Sequence, residues 1–362
     1  MLQIKCLFLR FFDVSDETLR PETAIVAAPL MKDVADAAGV SLATVDRVLN
    51  RRKGVKARTV DRVLKAAVAL GYVEPEVQEQ LGRSRPPNIA FLLPAGTNPY
   101  LRLLGEKVRA ATESRLRDDA QLRCFFIESF DAAALAQAIR HHAGWADGVA
   151  FMAIDHPLVR EAVEEVRQAG TRVVTIVSDL SHPSRDAYVG LDNQAAGRTA
   201  GLLLGRFCKH RAGSIALVAG SRSYRAHAER EMGFLGLMEE MFPEFRVIGM
   251  REGHDDRNEN YAHAMELLKQ HPDLVGIYNV GGSSDGIARA LREKDRAKEI
   301  VFIGHGLTAD TRRLLIDGSM DVVINSDPDE VIRATLLAMA QGGGIPFVKM
   351  DVIFRENIPM GM

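Results

Sequence analysis

Lys32-Asp-Val-Ala-Asp-Ala-Ala-Gly-Val-Ser-Leu-Ala-Thr-Val-Asp-Arg-Val-Leu-Asn50 is the stretch on which the reading of this chain turns. Val34, Ala35 and Ala38 fall on one helical face, and Gly39 stops that helix. Ser41 is a good N-cap for a second helix, Leu42 to Asn50, with Val45, Val48 and Leu49 turned inward. A loop, Arg51-Arg-Lys-Gly-Val55, comes next. A third helix from about Ala57 to Leu70 buries Val60, Val63, Leu64 and Ala67 and ends at Gly71. Three short helices with a tight turn between the first two make a helix-turn-helix.

If the second helix buries Val45, Val48 and Leu49, then Leu42, Ala43, Asp46, Arg47 and Asn50 face outward. A helix fits the major groove of DNA and presents its exposed N-terminal side chains to base edges. Arg47 can fork onto guanine, the commonest specific pairing. Ser41, Thr44 and Asn50 can hold phosphates, helped by the positive helix terminus. Leu42 and Ala43 offer apolar contact, for example to a thymine methyl. Asp46 either orients Arg47 or accepts from a cytosine amine, and the sequence leaves both open. Charge agrees with this reading. Between residues 31 and 85 eleven basic residues face seven acidic ones, within a chain whose formal net charge is −2. A basic segment on an acidic body is the electrostatic footprint of a DNA reader.

The quoted stretch resembles the DNA-binding motif of the lactose-repressor family over its full length. Arg58-Thr59 and Leu70-Gly71-Tyr72 fall at the matching distances in the third helix and its exit. The resemblance implies Thr59 as a further DNA contact and Leu81 as the hinge residue that wedges into the minor groove, with ordinary packing its alternative. Two departures stand out: Asp46 where the family usually has serine, and Glu74, Glu76 and Glu79 in the hinge segment. From Asn88 onward the chain is similar to the family's sensor domain, which shares its fold with periplasmic sugar-binding proteins.

The remaining sequence fits that layout. Its 362 residues, 47% of them apolar, suit a small domain plus a two-lobed one. Residues 1–29 have no sustained period and read as a disordered extension or a misplaced start. Their opening run is broken by Lys5 and Arg10 and lacks a cleavage site, so it reads poorly as a signal peptide. Residues 30–72 are the helix-turn-helix domain, and 73–87, ending Arg83-Ser-Arg-Pro-Pro87, have a linker's composition. Residues 88–358 alternate strand and helix, which predicts parallel sheets covered by helices and an α/β class. Apolar strands are read at 88–93, 147–152, 172–177, 214–219, 274–278, 300–303 and 320–324. The length suggests two lobes, one from about 88–189 with 326–349, the other from 190–325 with 350–358. Ligands in such folds bind at the carboxyl ends of the strands.

Polar residues cluster just after these strands. Asn98 can hydrogen-bond a ligand hydroxyl while Tyr100 stacks on an apolar ring face. The resemblance implies Arg230 as the arginine that forks onto ligand hydroxyls or a carboxylate. Asp155 and Asp179 can accept hydroxyl protons or serve as caps. Asn279 and His305 stand where sugar binders often carry carboxylates, His305 being as readily a buried structural histidine. Asp327 lies at the lobe crossover and serves the ligand or the hinge. The effector class is a sugar, polyol or sugar acid.

No nucleophile elbow, phosphate-binding loop or metal-spaced His/Cys cluster is present, so neither catalysis nor a cofactor nor a metal is expected. Cys6, Cys124 and Cys208 are too scattered for a disulfide framework, and a reducing cytoplasm is the simplest setting. No apolar run approaches the roughly 20 residues that span a bilayer. Two-fold DNA half-sites imply a homodimer. The sequence expectation is thus a repressor of double-stranded operator DNA controlled by a small molecule. A solute-binding protein of a sugar transporter is the alternative; it needs an export signal and no DNA-binding helices.

Overall fold

The computed structural model describes residues 29–50, 52, 54–74, 86–113, 120–182, 184–208, 213–341 and 347–360. The extension before Pro29 and most of the linker, with Leu81, lie outside the described residues. The chain divides into two compact units, one holding the first two helices and most of the third, the other holding Gly54–Asp61, with the start of the third helix, and everything from Asn88 on.

In the first unit, α1 (Met31–Ala38) buries Val34, Ala35 and Ala38. It ends where Gly39 adopts φ 59°, a left-handed conformation that costs a side-chain-bearing residue about 1–2 kcal/mol. α2 (Leu42–Leu49) begins on Ser41, whose side chain accepts from the Thr44 backbone N–H at 3.2 Å. Val45 and Val48 are buried, while Leu49 and, in the next helix, Val60 are only half-buried. α3 (Ala57–Ala69) buries Val63, Leu64 and Ala67.

The second unit runs β1 (Asn88–Pro94), α4 (Pro99–Glu113), β2 (Gln121–Ile127), α5 (Ala132–Ala143), β3 (Gly148–Phe151), α6 (Pro157–Gln168), β4 (Arg172–Ile176) and β5 (Ala187–Val189). These strands form a parallel sheet in the order β2-β1-β3-β4-β5. The chain continues as α7 (Asn193–Phe207), β6 (Ser214–Ala219), α8 (Arg225–Met241), β7 (Arg246–Glu252), α9 (Arg257–Gln270), β8 (Leu274–Asn279), α10 (Ser284–Glu293), β9 (Val301–His305), α11 (Ala309–Asp317) and β10 (Val322–Asn325). After α12 (Pro328–Gln341) comes β11 (Asp351–Ile353), which closes the second sheet, β11-β10-β9-β8-β6-β7.

Both sheets are covered on both faces, which is why their central strands read as continuous apolar runs. Along β1 the two-residue period sends Ala90 and Leu92 towards α5 and α6, and Ile89, Phe91 and Leu93 towards α4 and α12. In the second sheet Ile215 and Leu217 pack beneath α7 and α8, while Ala216 and Val218 pack beneath α9 and α10.

Four strands escaped the sequence reading: β2, β5, β7 and β11. All four lie at sheet edges, where fewer side chains are covered. β2 and β7 are accordingly interrupted by polar residues, β7 reading Arg246-Val-Ile-Gly-Met-Arg-Glu252. β5 and β11 are three residues each, and β11 pairs antiparallel with β10 rather than parallel.

Candidate functional site

On the first unit the exposed face of α2 carries the expected DNA-reading residues. Leu42 is 51% exposed, and Ala43 and Arg47 are exposed beside it. The Arg47 guanidinium has no hydrogen-bond or ion-pair partner among the described residues. Ser41 and Thr44 bind each other, their hydroxyls 2.9 Å apart. Asp46 does not orient Arg47. Its Oδ1 accepts from Asn50 Nδ2 at 2.8 Å and its Oδ2 pairs with Arg52 at 2.8 Å. Helix geometry is the reason: residues four apart are neighbours, while adjacent residues point about 100° apart. Asn50 is thereby held against its own helix, donating also to the Asp46 carbonyl. Thr59 is half-buried in the first turn of α3.

In the second unit the carboxyl ends of strands from both sheets converge on a cleft of about 470 Å³, part of it open to solvent. Asn98 and Tyr100 enter it from the start of α4, Met152 from the end of β3 and Val177 from the end of β4. His227 and Arg230 enter from α8, Gly281 and Gly282 follow β8, His305 ends β9, and Ser326 follows β10. Four of the eight expected effector residues therefore meet: Asn98, Tyr100, Arg230 and His305.

The other four are turned elsewhere. The Asp155 carboxylate pairs with Arg160 at 2.8 Å. Asp179 is gripped by Arg185 and by the Thr175 hydroxyl. Asn279 is buried beneath the cleft floor, donating to the Gly282 carbonyl at 2.8 Å and the Ser284 hydroxyl at 2.9 Å. Asp327 is exposed and accepts from the Asp329 backbone N–H at 2.8 Å, capping α12. In each case a partner close in sequence or strand order engages the polar group, although the buried Asn279 Oδ1 has no partner among the described residues.

Arg230 is 7% exposed. Its Nε donates to Asn193 Oδ1 and one terminal nitrogen to the Val280 carbonyl, both at 2.8 Å. His305 Nε2 lies 2.7 Å from the Tyr278 hydroxyl, and burial, together with the charge of Arg230, holds the imidazole well below its ordinary range. His227 engages the Ser221 backbone through Nδ1, and burial lowers it as well. Desolvation pushes the Tyr100 phenol up to about 12, so its hydroxyl stays protonated and donates to Ser326.

Sequence reasoning missed Asp255, His227 and Ser326. Asp255 joins the lobes: its Oδ2 accepts from Asn98 Nδ2 at 2.9 Å, its Oδ1 from the Gly282 N–H at 2.6 Å, and its carbonyl from the Thr97 hydroxyl at 2.7 Å. His254, Asp255 and Ser283 all adopt positive φ at this junction, as does the β-branched Val177 on the opposite wall. Such conformations persist only where surrounding structure enforces them. His227 had a readable signal, standing three residues before Arg230 on the same helical face. Asp255 had none, because its partners lie far away in sequence.

Comparison with known proteins covers both units. A model of the lacI family of bacterial regulatory proteins matches residues 30–74, and one of the periplasmic binding protein domain matches residues 89–342. The ribose operon repressor of Bacillus subtilis (strain 168) is 46% identical over 70 residues, 19% of this chain and 22% of that protein. The ribose operon repressor of Halalkalibacterium halodurans is 26% identical over 260 residues, 71% of this chain and 72% of that protein. The chain thus spans only part of the length of the curated relatives it matches. A glucose-galactose binding protein from Geobacillus stearothermophilus shares the sensor fold, with a TM-score of 0.67 and 22% identity over 76% of this chain and 100% of that one. With one model lying on the helix-turn-helix and the other over most of the two-sheet unit, the chain belongs to the lacI family of bacterial regulatory proteins.

Proposed function

We propose that this chain is a cytoplasmic transcriptional repressor that binds palindromic operator DNA as a homodimer and answers to a small polar effector held between its lobes. The observation that carries the reading is Arg47, free on the exposed face of an N-capped α2 whose opposite face is buried. An unspent guanidinium at that place on a helix-turn-helix is suited to a bidentate guanine contact. The names of the relatives, ribose operon repressors, support repression and a sugar-like effector. A transporter's solute-binding protein shares the cleft but has no use for the helix-turn-helix. Among the described residues no helix is long and apolar enough to cross a membrane.

The effector acts only as far as it prefers one arrangement of the sensor over another. The test is selection of bound sequences from random DNA by the full chain, followed by titrations with Arg47→Ala. The substitution is expected to cost about 1–3 kcal/mol and to relax preference at one base pair. Equal loss on every sequence makes Arg47 a phosphate contact and overturns its assignment.

A further inference from the structure

Arg230 brings a full positive charge into a cleft that supplies no negative charge to meet it. Arg230 is 7% exposed, yet both partners of its guanidinium among the described residues, Asn193 Oδ1 and the Val280 carbonyl, are neutral. Two of its five N–H donors are spent on these partners, and the residue lines the cleft. A buried charge is normally paired, and one left unpaired costs several kcal/mol. The carboxylates nearest the site are spoken for. Asp155 and Asp179 are held by arginines of their own, Asp327 caps a helix on the exposed side, and Asp255 accepts from Asn98 and the Gly282 N–H. None of these four lines the cleft.

The rest of the lining is complementary to an anion. His227 and His305 are 3% and 9% exposed, and each keeps one ring nitrogen without a hydrogen-bond partner among the described residues. His227 feels the opposed charges of Asp255 and Arg230, and His305 feels that of Arg230. A neutral sugar needs acceptors for its hydroxyl protons, which carboxylates provide best, and among the described residues no carboxylate lines this cleft. Leu101, Met152, Leu191 and Ile324 supply the apolar wall on which a sugar ring or chain packs.

We infer that the effector is an anion: a carbohydrate-sized molecule bearing a carboxylate or phosphate that docks on Arg230 between His227 and His305. This rests on the sensor reading above and narrows its ligand class. Sugar acids and phosphorylated sugars share the chemistry, and the experiment separates them.

The full chain is titrated with matched probes at equal concentration: glucose with gluconate, glucuronate and glucose 6-phosphate, and galactose with galacturonate. Calorimetry and the shift in unfolding temperature report binding, since a ligand that binds the folded state stabilises it by mass action. At least one charged probe is expected to bind while its neutral parent does not. Binding to the carboxylates alone names a sugar acid, and binding to the phosphate alone names a phosphorylated sugar. Arg230→Gln weakens the bound probe by about 10- to 100-fold, the worth of a charge-assisted hydrogen bond, while Arg230→Lys retains part of the affinity. Should Arg230→Gln fail to fold, rising salt must weaken the charged probe in the unmutated protein. A neutral parent that binds as tightly as its acid overturns the inference while leaving the regulator reading intact. A charged panel that leaves both signals unmoved overturns it too.

Discussion

Gly197 and Gly233 let α7 and α8 approach until backbone meets backbone, and a single methyl tests how much the cleft depends on that approach. A Cβ built on Gly197 would stand 2.0 Å from the Arg230 carbonyl oxygen, and one on Gly233 would stand 2.1 Å from that of Gln194. Ordinary contact lies above 3.4 Å, so in Gly197→Ala the helices must separate by more than 1 Å. Backbone cannot rotate aside as a side chain can. Overpacking of this kind costs typically about 1–3 kcal/mol, offset by about 0.5–1 kcal/mol because alanine is the better helix former. The upper part of the range applies, leaving a loss of about 2 kcal/mol and a fall of about 4–8 °C in unfolding temperature for a unit of this size. Gly236→Ala, also on α8, meets only the Arg198 guanidinium at 3.9 Å. It is expected to stabilise by about 0.5–1 kcal/mol. Thermal unfolding followed by far-ultraviolet circular dichroism measures both. Gly197→Ala unfolding at or above the parent temperature refutes the close-packing argument, and so does a matching loss in Gly236→Ala. Because Gly197 presses on the residue that carries the guanidinium, Gly197→Ala also weakens effector binding.

Asp46→Ser releases Asn50 and Arg52 from the carboxylate and removes a negative charge from the DNA-reading face; non-specific DNA affinity should rise and its salt dependence steepen by up to about one counterion, and an unchanged salt slope counts against the pairing. Asp255→Ala removes the acceptor shared by Asn98 and Gly282; effector binding should weaken with operator binding nearly intact, and an unaltered effector affinity would show that this junction does not govern closure. His227 and His305 have folded pKa values below the ordinary 6.5. The unfolded chain then binds more protons in that window, so stability is full above about 6.5 and falls as pH drops below it. Urea midpoints across pH should show a shallower fall in His305→Gln than in the parent, and parallel curves refute the assignment.

The helix-turn-helix was legible because everything that makes it is local. Its buried positions, the Ser41 cap and the Gly39 stop lie within a few residues of one another, and helical periodicity displays them directly. The central strands were legible for a related reason: covered on both faces, they are apolar throughout, whereas the edge strand β7 is partly polar. Arg230, Asn98, Tyr100 and His305 came from position after strands and from family resemblance. What tertiary structure decided was which polar groups remain free. Asp155, Asp179 and Asp327 stand beside strand ends as binding carboxylates do, yet Arg160, Arg185 and a helix terminus capture them. Asp255, unremarkable in sequence, reaches Asn98 and Gly282 across the cleft. A carboxylate binds a ligand only if no nearer donor satisfies it, and a linear sequence does not say which donors are near. The unpaired charge of Arg230 is a property of that three-dimensional surrounding and of nothing in its own stretch of chain.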